Sequence, residues 1–216
     1  MIEIFDKEDT SFLKKYEKHF LEVNHKVQET GPSYIVNMPQ YRIENKEFIA
    51  DLMSNYTDVY PGWIPFTNYS YVFRFQPDTL TMLPHIDLDA ETCKVLKGIA
   101  KRVLIYANPV WDTNWKGGTY FAPFEQYKVS KRHVAIVRKE KFAEEATLVE
   151  NVPGRMIVFD PDEIHMPQEF SGNNVQRLIF GGMIFHPDYI HLSEDMAGPT
   201  NENGNAVTKL MSLPKT

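Results

Sequence analysis

Between Tyr69 and Phe185 the chain breaks into a succession of short apolar segments, each closed by Pro, Gly, Asn or Asp, and this punctuation limits the possible folds more than any other feature. Tyr69 to Phe75 is aromatic and β-branched and ends at Gln76-Pro77-Asp78, after which an extended segment resumes from Leu80 to Asp87. Lys101 to Asn108 is closed by Pro109, and Gly117-Gly118 opens a strand over Thr119 to Phe124. Val134 to Arg138 and Ala146 to Val149 are weaker candidates, and Arg155 to Asp160, the segment around His165 and Gln176 to Phe185 complete the set. Short strands punctuated in this way predict a sandwich or jelly roll.

The first 65 residues differ. Ile2 to Phe5 alternates briefly, and from Asp9 to Val27 the apolar positions Phe12, Leu13, Tyr16, Phe20, Leu21 and Val23 recur mostly at three and four, the spacing of a helix with one buried face. Thr30-Gly31-Pro32 stops that helix, Tyr34 to Met38 is extended, and residues 45–56 form a second helix. Helices ahead of a β-rich region are expected to pack on the outside of a sheet. Ser193 to Thr216, rich in Asn, Gly, Pro and Thr, is expected to be a polar tail.

A length of 216 residues suits one domain with a core of its own, divided into a helical flank (1–65), a β core (66–190) and the tail (191–216). The net charge of −6 argues against a surface given over to nucleic acid. Cys93, the single cysteine, excludes an intrachain disulfide and a Cys-rich zinc module. Residues 1–30 hold neither a signal-peptide apolar run nor a bilayer-length stretch, so the expected compartment is cytoplasmic.

The chemistry concentrates at Pro84-His85-Ile86-Asp87. Two residues apart on a strand, His85 and Asp87 face the same side of a sheet, which is half a metal site. His165, on a second apolar segment, supplies another imidazole, and the three together make a two-histidine, one-carboxylate facial triad that leaves three positions open on a non-haem Fe(II). Arg177 opens the apolar strand Leu178 to Phe185, where an unpaired charge is expensive; a buried anionic partner or an ordinary ion pair would explain it.

His85-x-Asp87, His165 eighty positions on (165 minus 85) and Arg177 twelve further (177 minus 165) together resemble the signature of the Fe(II)/2-oxoglutarate-dependent dioxygenases. Val103 to Asn108, Trp111 and Lys116-Gly117-Gly118-Thr119 are similar to the strand, loop and double glycine of the prolyl-hydroxylase-like branch, so the resemblance covers roughly residues 69–186. It implies a double-stranded β-helix (a cupin-like jelly roll) with flanking helices, using Fe(II), 2-oxoglutarate and O2. It further implies that Arg177 and Tyr106 hold the far carboxylate of 2-oxoglutarate, a task suited to a guanidinium fork. Where those hydroxylases often carry a tyrosine, ten positions before His85, this chain has Phe75, which offers no hydrogen bond; Asn108, Tyr71 and Arg74 are then candidates to orient the inner carboxylate.

The implied reaction is hydroxylation of a protein residue, prolyl residues among them, or of a small molecule, with 2-oxoglutarate decarboxylated to succinate. A nucleobase or free amino acid as substrate, or a non-catalytic cupin-like metal-binding module, are the rival readings. Tyr106 among Val103, Leu104 and Ile105 could equally be core, Gly117-Gly118 a plain turn, and Trp111 and Trp115 loop anchors or walls of the substrate entrance. The basic residues Lys128, Lys131, Arg132, Arg138, Lys139 and Lys141 suit a solvated face or a landing site for an acidic partner. His186-Pro187-Asp188 with His191 is read as structural.

Overall fold

Every residue of Arg177–Phe185 is buried, which a strand achieves only when both faces of its sheet are covered, and the architecture is arranged about it. A computed structural model of the chain describes residues 1–23, 40–66, 70–77, 82–130, 133–172 and 175–189. In chain order the strands are β1 (Ile2–Phe5), β2 (Gln40–Arg42), β3 (Ile64–Pro65), β4 (Tyr71–Phe75), β5 (Ala100–Tyr106), β6 (Thr119–Ala122), β7 (Thr147–Val149), β8 (Met156–Phe159), β9 (Ile164–Pro167) and β10 (Arg177–Phe185). The helices are α1 (Leu13–Glu22), α2 (Lys46–Ser54), α3 (Ala90–Leu96) and α4 (Lys139–Glu145).

A seven-stranded antiparallel sheet runs β1-β8-β5-β10-β4-β2, with β3 pairing the end of β10, and faces a three-stranded sheet β7-β6-β9. This is the mainly β, double-stranded β-helix arrangement. The outer face of the larger sheet (Val72, Val103, Ile105, Val158, Leu178, Phe180) packs on Tyr16 and Phe20 of α1 and on Ile49 and Leu52 of α2. Its inner face (Phe73, Phe75, Leu104, Tyr106, Ile157, Phe159, Ile179) packs on Phe121 and Val149 of the smaller sheet. Each buried aromatic or aliphatic side chain contributes about 1.5–3 kcal/mol, so both layers have a hydrophobic reason to close on the space between them.

The helical flank also joins the barrel, because β1, β2 and β3 all pair with core strands. The two flank helices are shorter than their apolar patterns suggested. Asn45 caps α2 by accepting from the Phe48 N–H, and α1 ends where Val23 turns extended. Tyr34 to Met38 and the tail from 191 lie outside the described residues.

Three expectations are corrected. Among the described residues, 82–87 form no ladder strand and pair only through isolated bridges at His85. Val134 to Arg138 is likewise a bridged loop rather than a strand. Two seven-residue helices, α3 and α4, lie where none was expected. Asp89 starts α3 by accepting from the Glu91 and Thr92 N–H groups, and Cys93 and Leu96 give it a buried face.

Candidate metal centre

His85 and His165 meet because their backbones form a reciprocal antiparallel pair: the His85 N–H donates to the His165 carbonyl at 3.0 Å and the His165 N–H to the His85 carbonyl at 2.9 Å. Residues directly opposite in such a pair project to the same side, and the imidazole centroids stand 4.5 Å apart. The convergence therefore comes from a bridge across eighty residues of sequence, with Asp87 carried in by the turn that leads to α3.

Each imidazole is oriented from behind. His85 Nδ1 lies 2.8 Å from the Leu83 carbonyl and His165 Nδ1 lies 3.2 Å from the Glu163 carbonyl. Since a carbonyl only accepts, Nδ1 carries the proton in both and each Nε2 presents a lone pair. Asp87 Oδ1 stands 3.7 Å from His85 Nε2 and 3.6 Å from His165 Nε2. Donors held about 2.1 Å from a shared ion lie at most about 4.2 Å apart; Asp87 meets that limit with each imidazole, and one ligand atom from each of the three residues lies within 4.8 Å of the others. Burial pushes the His165 imidazole down to about 4 despite the Asp87 carboxylate, so it is neutral at neutral pH, the form that can ligate a metal. Burial alone would raise the Asp87 carboxyl, but the Arg102 guanidinium, then His165 and His85, hold it well below the usual carboxylate range.

The cavity at the triad is lined by Phe73, Phe75, Met82, Arg102, Leu104, Thr119, Pro167 and Ile179 in addition to the three ligands. Beyond Thr119 lies Arg177, fully buried, its guanidinium 5.5 Å from the Phe75 ring centroid and 5.7 Å from that of Tyr106. Nη2 donates to the Gly118 carbonyl at 2.8 Å and to Thr119 Oγ1 at 3.3 Å, whereas Nε and Nη1 have no hydrogen-bond partner among the described residues. Desolvation depresses even this guanidinium to about 10, with Tyr106 opposing the shift. The Tyr106 hydroxyl bonds Thr119 Oγ1 at 3.0 Å and the Val149 carbonyl at 3.1 Å. Thr119 thus joins the cavity to both groups.

The chain has the double-stranded β-helix of the non-haem, 2-oxoglutarate-dependent oxygenases. A prolyl hydroxylase from Trichoplax adhaerens, in complex with a hypoxia inducible factor oxygen degradation domain peptide fragment, matches with TM-score 0.53 at 16% identity over 89% of this chain and 86% of that one. The non-heme alpha ketoglutarate dependent epimerase SnoN from nogalamycin biosynthesis matches with TM-score 0.53 at 12% identity, covering 94% and 87% of the two chains. HygX from Streptomyces hygroscopicus, solved with iron bound, gives 0.50 at 11% identity over 85% and 81%. No protein-family model matches the sequence, and no curated protein does.

Within this oxygenase fold the sequence-derived residues divide. His85, Asp87 and His165 converge on one point, with Tyr106 and Arg177 together behind Thr119. Asn108 does not join them. Its Nδ2 donates to the Gln176 carbonyl at 2.8 Å and its Oδ1 accepts from the Leu178 N–H at 2.7 Å, so both ends of the amide tie β5 to β10. Arg74 points outward, donating to the Leu21 and Val23 carbonyls and covering the Tyr41 ring. Tyr71, three residues earlier on the opposite face of the strand, packs with the interior cluster, and burial raises its hydroxyl against the opposing charge of Arg102.

Gly117 and Gly118 do more than turn the chain. Gly117 has φ 82°, and a Cβ on Gly118 would lie 2.4 Å from the Val149 carbonyl, so β6 and β7 close behind Arg177 only with glycine there. Trp111 anchors this loop through Nε1 to the Lys116 carbonyl at 2.8 Å and packs edge-on against Trp115.

Two residues carry roles that sequence reasoning did not assign, Arg102 and Thr119. Strand parity was the available signal for the first, because Arg102 shares the inward face of β5 with Leu104 and Tyr106. For Thr119 it was a small hydroxyl residue opening a strand of bulky aromatic side chains directly after the double glycine. A second acidic group, Asp160, Asp162 and Glu163, is already neutralised by Lys101, Lys97 and the Met1 amino group. Of the basic cluster, Lys139 pairs with Glu169 and Lys141 with Glu145 at the surface, while Lys131 and Arg132 lie outside the described residues.

Among the described residues no helix is long and apolar enough to cross a membrane.

Proposed function

We propose that this chain, as one domain over residues 1–216, is an Fe(II)- and 2-oxoglutarate-dependent oxygenase that hydroxylates a protein residue or a small molecule. The observation that carries the reading is the fully buried Arg177, with two unpartnered guanidinium nitrogens and no carboxylate in ion-pair range among the described residues, set behind the cavity that holds the triad. A buried cation lacking its anion is costly, and an acid that reaches from the metal position to Arg177 removes that cost.

In this reading His85 Nε2, His165 Nε2 and Asp87 Oδ1 hold the metal on one face. Bound iron, with 2-oxoglutarate and O2, supplies the oxidising chemistry, in which the cosubstrate loses CO2 to become succinate and one oxygen atom enters the substrate. Arg177 Nη1 and the Tyr106 hydroxyl bind the distal carboxylate, and Thr119 fixes the geometry of both. Phe73, Phe75, Leu104 and Ile179 keep the space between dry, so hydrogen bonds made there are strong. Asn108 holds the strands rather than the acid. A protein substrate, prolyl residues included, draws support from the peptide complex of the similar Trichoplax adhaerens hydroxylase.

The test is succinate release with Fe(II) and 2-oxoglutarate against prolyl-containing peptides, free amino acids and nucleosides. Stimulation by peptides supports the reading in full. Stimulation by nucleosides or free amino acids moves the substrate class. No succinate under any condition, uncoupled turnover included, leaves only a cupin-like metal-binding module.

A further inference from the structure

The larger sheet places one charged side chain beside the metal ligands. Arg102 lies on the inward face of β5, between Met183 of β10 and Phe159 of β8 in register, and is 2% exposed. Its Nη2 is 2.6 Å from Asp87 Oδ2. The other oxygen of the same carboxylate, Oδ1, is the one turned toward the two Nε2 atoms at 3.7 and 3.6 Å. One oxygen therefore faces a guanidinium and the other faces the ligand pair.

A carboxylate has two oxygens and can chelate a cation with both. A two-histidine, one-carboxylate centre bound through one carboxylate oxygen leaves three coordination positions, the number needed for a chelating 2-oxo acid and dioxygen. Chelation through the second oxygen would remove one. We propose that Arg102 is a positioning residue that occupies Asp87 Oδ2, restricts the carboxylate to a single donor atom, and so keeps the third position open for the cosubstrate. The inference rests on the oxygenase reading above. Arginine suits the task because it is planar, never loses its charge at working pH, and is held between two neighbouring strands.

Two effects follow from Arg102→Met, and they run in opposite directions. The metal loses a neighbouring positive charge and gains a second carboxylate oxygen, so it binds more tightly. The 2-oxo acid must then compete with that oxygen, so it binds more weakly. A side chain of merely structural importance would weaken both, because a disordered site holds neither ligand well.

The experiment is calorimetric titration of the metal-free full chain with Mn(II), followed by titration of the Mn(II)-loaded protein with 2-oxoglutarate, for wild type, Arg102→Met and Arg102→Lys. Arg102→Met is expected to bind Mn(II) several-fold more tightly and 2-oxoglutarate about tenfold more weakly, within the range seen when groups that orient metal ligands are removed. Arg102→Lys, which keeps the charge, is expected to return both constants toward wild type, and it carries the test alone if Arg102→Met does not fold, failing if its constants show the methionine pattern. Unchanged 2-oxoglutarate binding in Arg102→Met, or weaker binding of Mn(II), overturns the assignment. A wild-type protein that binds neither Mn(II) nor 2-oxoglutarate overturns the oxygenase reading itself, an outcome distinct from a wild type that binds both and a variant that behaves like it.

Discussion

The two ends of the interior treat charge in opposite ways. At the metal end the Asp87 carboxylate is met by Arg102 on one oxygen and by two imidazoles on the other, so the protein supplies both signs itself. Beyond Thr119, some of the same inner-face strands bury a second arginine, Arg177, whose hydrogen-bond partners among the described residues are the Gly118 carbonyl and the Thr119 hydroxyl. An ion pair buried complete can be structural, whereas a buried cation left without its anion marks where something from outside belongs. On the proposed reading the first end receives a cation and the second an anion, and a molecule with an acid at each extremity would span them.

The largest effects come from breaking the metal end. His85→Ala and Asp87→Ala are both expected to abolish Mn(II) binding by calorimetry, but they should differ in stability. Asp87→Ala takes from Arg102 the carboxylate that faces it, at a cost of about 3 kcal/mol or more, while His85→Ala leaves no charge behind. Equal unfolding midpoints for the two variants would show that the Arg102–Asp87 pair contributes little. At the other end Arg177→Met should leave Mn(II) binding intact and raise the Michaelis constant for 2-oxoglutarate by roughly 100-fold, corresponding to about 3 kcal/mol for a lost buried charge contact. Because two of its guanidinium nitrogens lack partners among the described residues, the same substitution should not lower the thermal midpoint of the metal-free protein. A drop of several degrees would mean that the fold already satisfies this guanidinium.

The pH dependence of the metal-free protein sharpens the contrast further. Burial holds the folded His165 imidazole down at about 4, with Asp87 raising it and His85 and Arg102 opposing protonation, against about 6.5 when unfolded. Between those values the unfolded chain carries the extra proton, so stability is full above about pH 6.5 and falls toward pH 4, by about 3 kcal/mol in total. Urea unfolding at pH 7, 5.5 and 4.5 measures the slope, and His165→Gln should flatten it. A slope that persists in the variant would place the titrating group elsewhere.

Much of this contrast was legible in the sequence, though not always for the right physical reason. β5 and β10 announce themselves as near-continuous apolar runs because both faces of the larger sheet are covered, and a charge at the head of the second run marked Arg177. The triad residues were found by type and spacing, yet strand alternation does not bring His85 and Asp87 together. The turn into α3 carries Asp87 in, and the second imidazole arrives through the bridge from His85 to His165, a contact across eighty residues that leaves no local periodic trace. Helices α3 and α4 were invisible because seven residues hold at most two turns of pattern. Asn108 was a candidate for the cosubstrate because Phe75 offers no hydrogen bond of its own, and only the hydrogen bonds to the Gln176 carbonyl and the Leu178 N–H show that both ends of its amide are engaged by the neighbouring strand.

Tyr106 and Asn108 offer the finest test of the comparison, since they lie two residues apart and differ in whether their polar atoms face the interior. Tyr106→Phe removes a hydroxyl that bonds Thr119 and the Val149 carbonyl beside Arg177. A net hydrogen bond to a charged ligand is worth about 1.5 kcal/mol, so the Michaelis constant for 2-oxoglutarate should rise about tenfold. Asn108→Ala strips two hydrogen bonds from the β5–β10 junction. That variant should lose about 1–3 kcal/mol of stability while the folded fraction keeps its 2-oxoglutarate constant. The two substitutions therefore separate along different axes, one in ligand affinity and one in unfolding free energy. If Asn108→Ala instead raises the Michaelis constant as much as Tyr106→Phe does, the amide reaches the bound acid after all, and the boundary between strand tie and ligand pocket must be moved outward by one turn of the pleat.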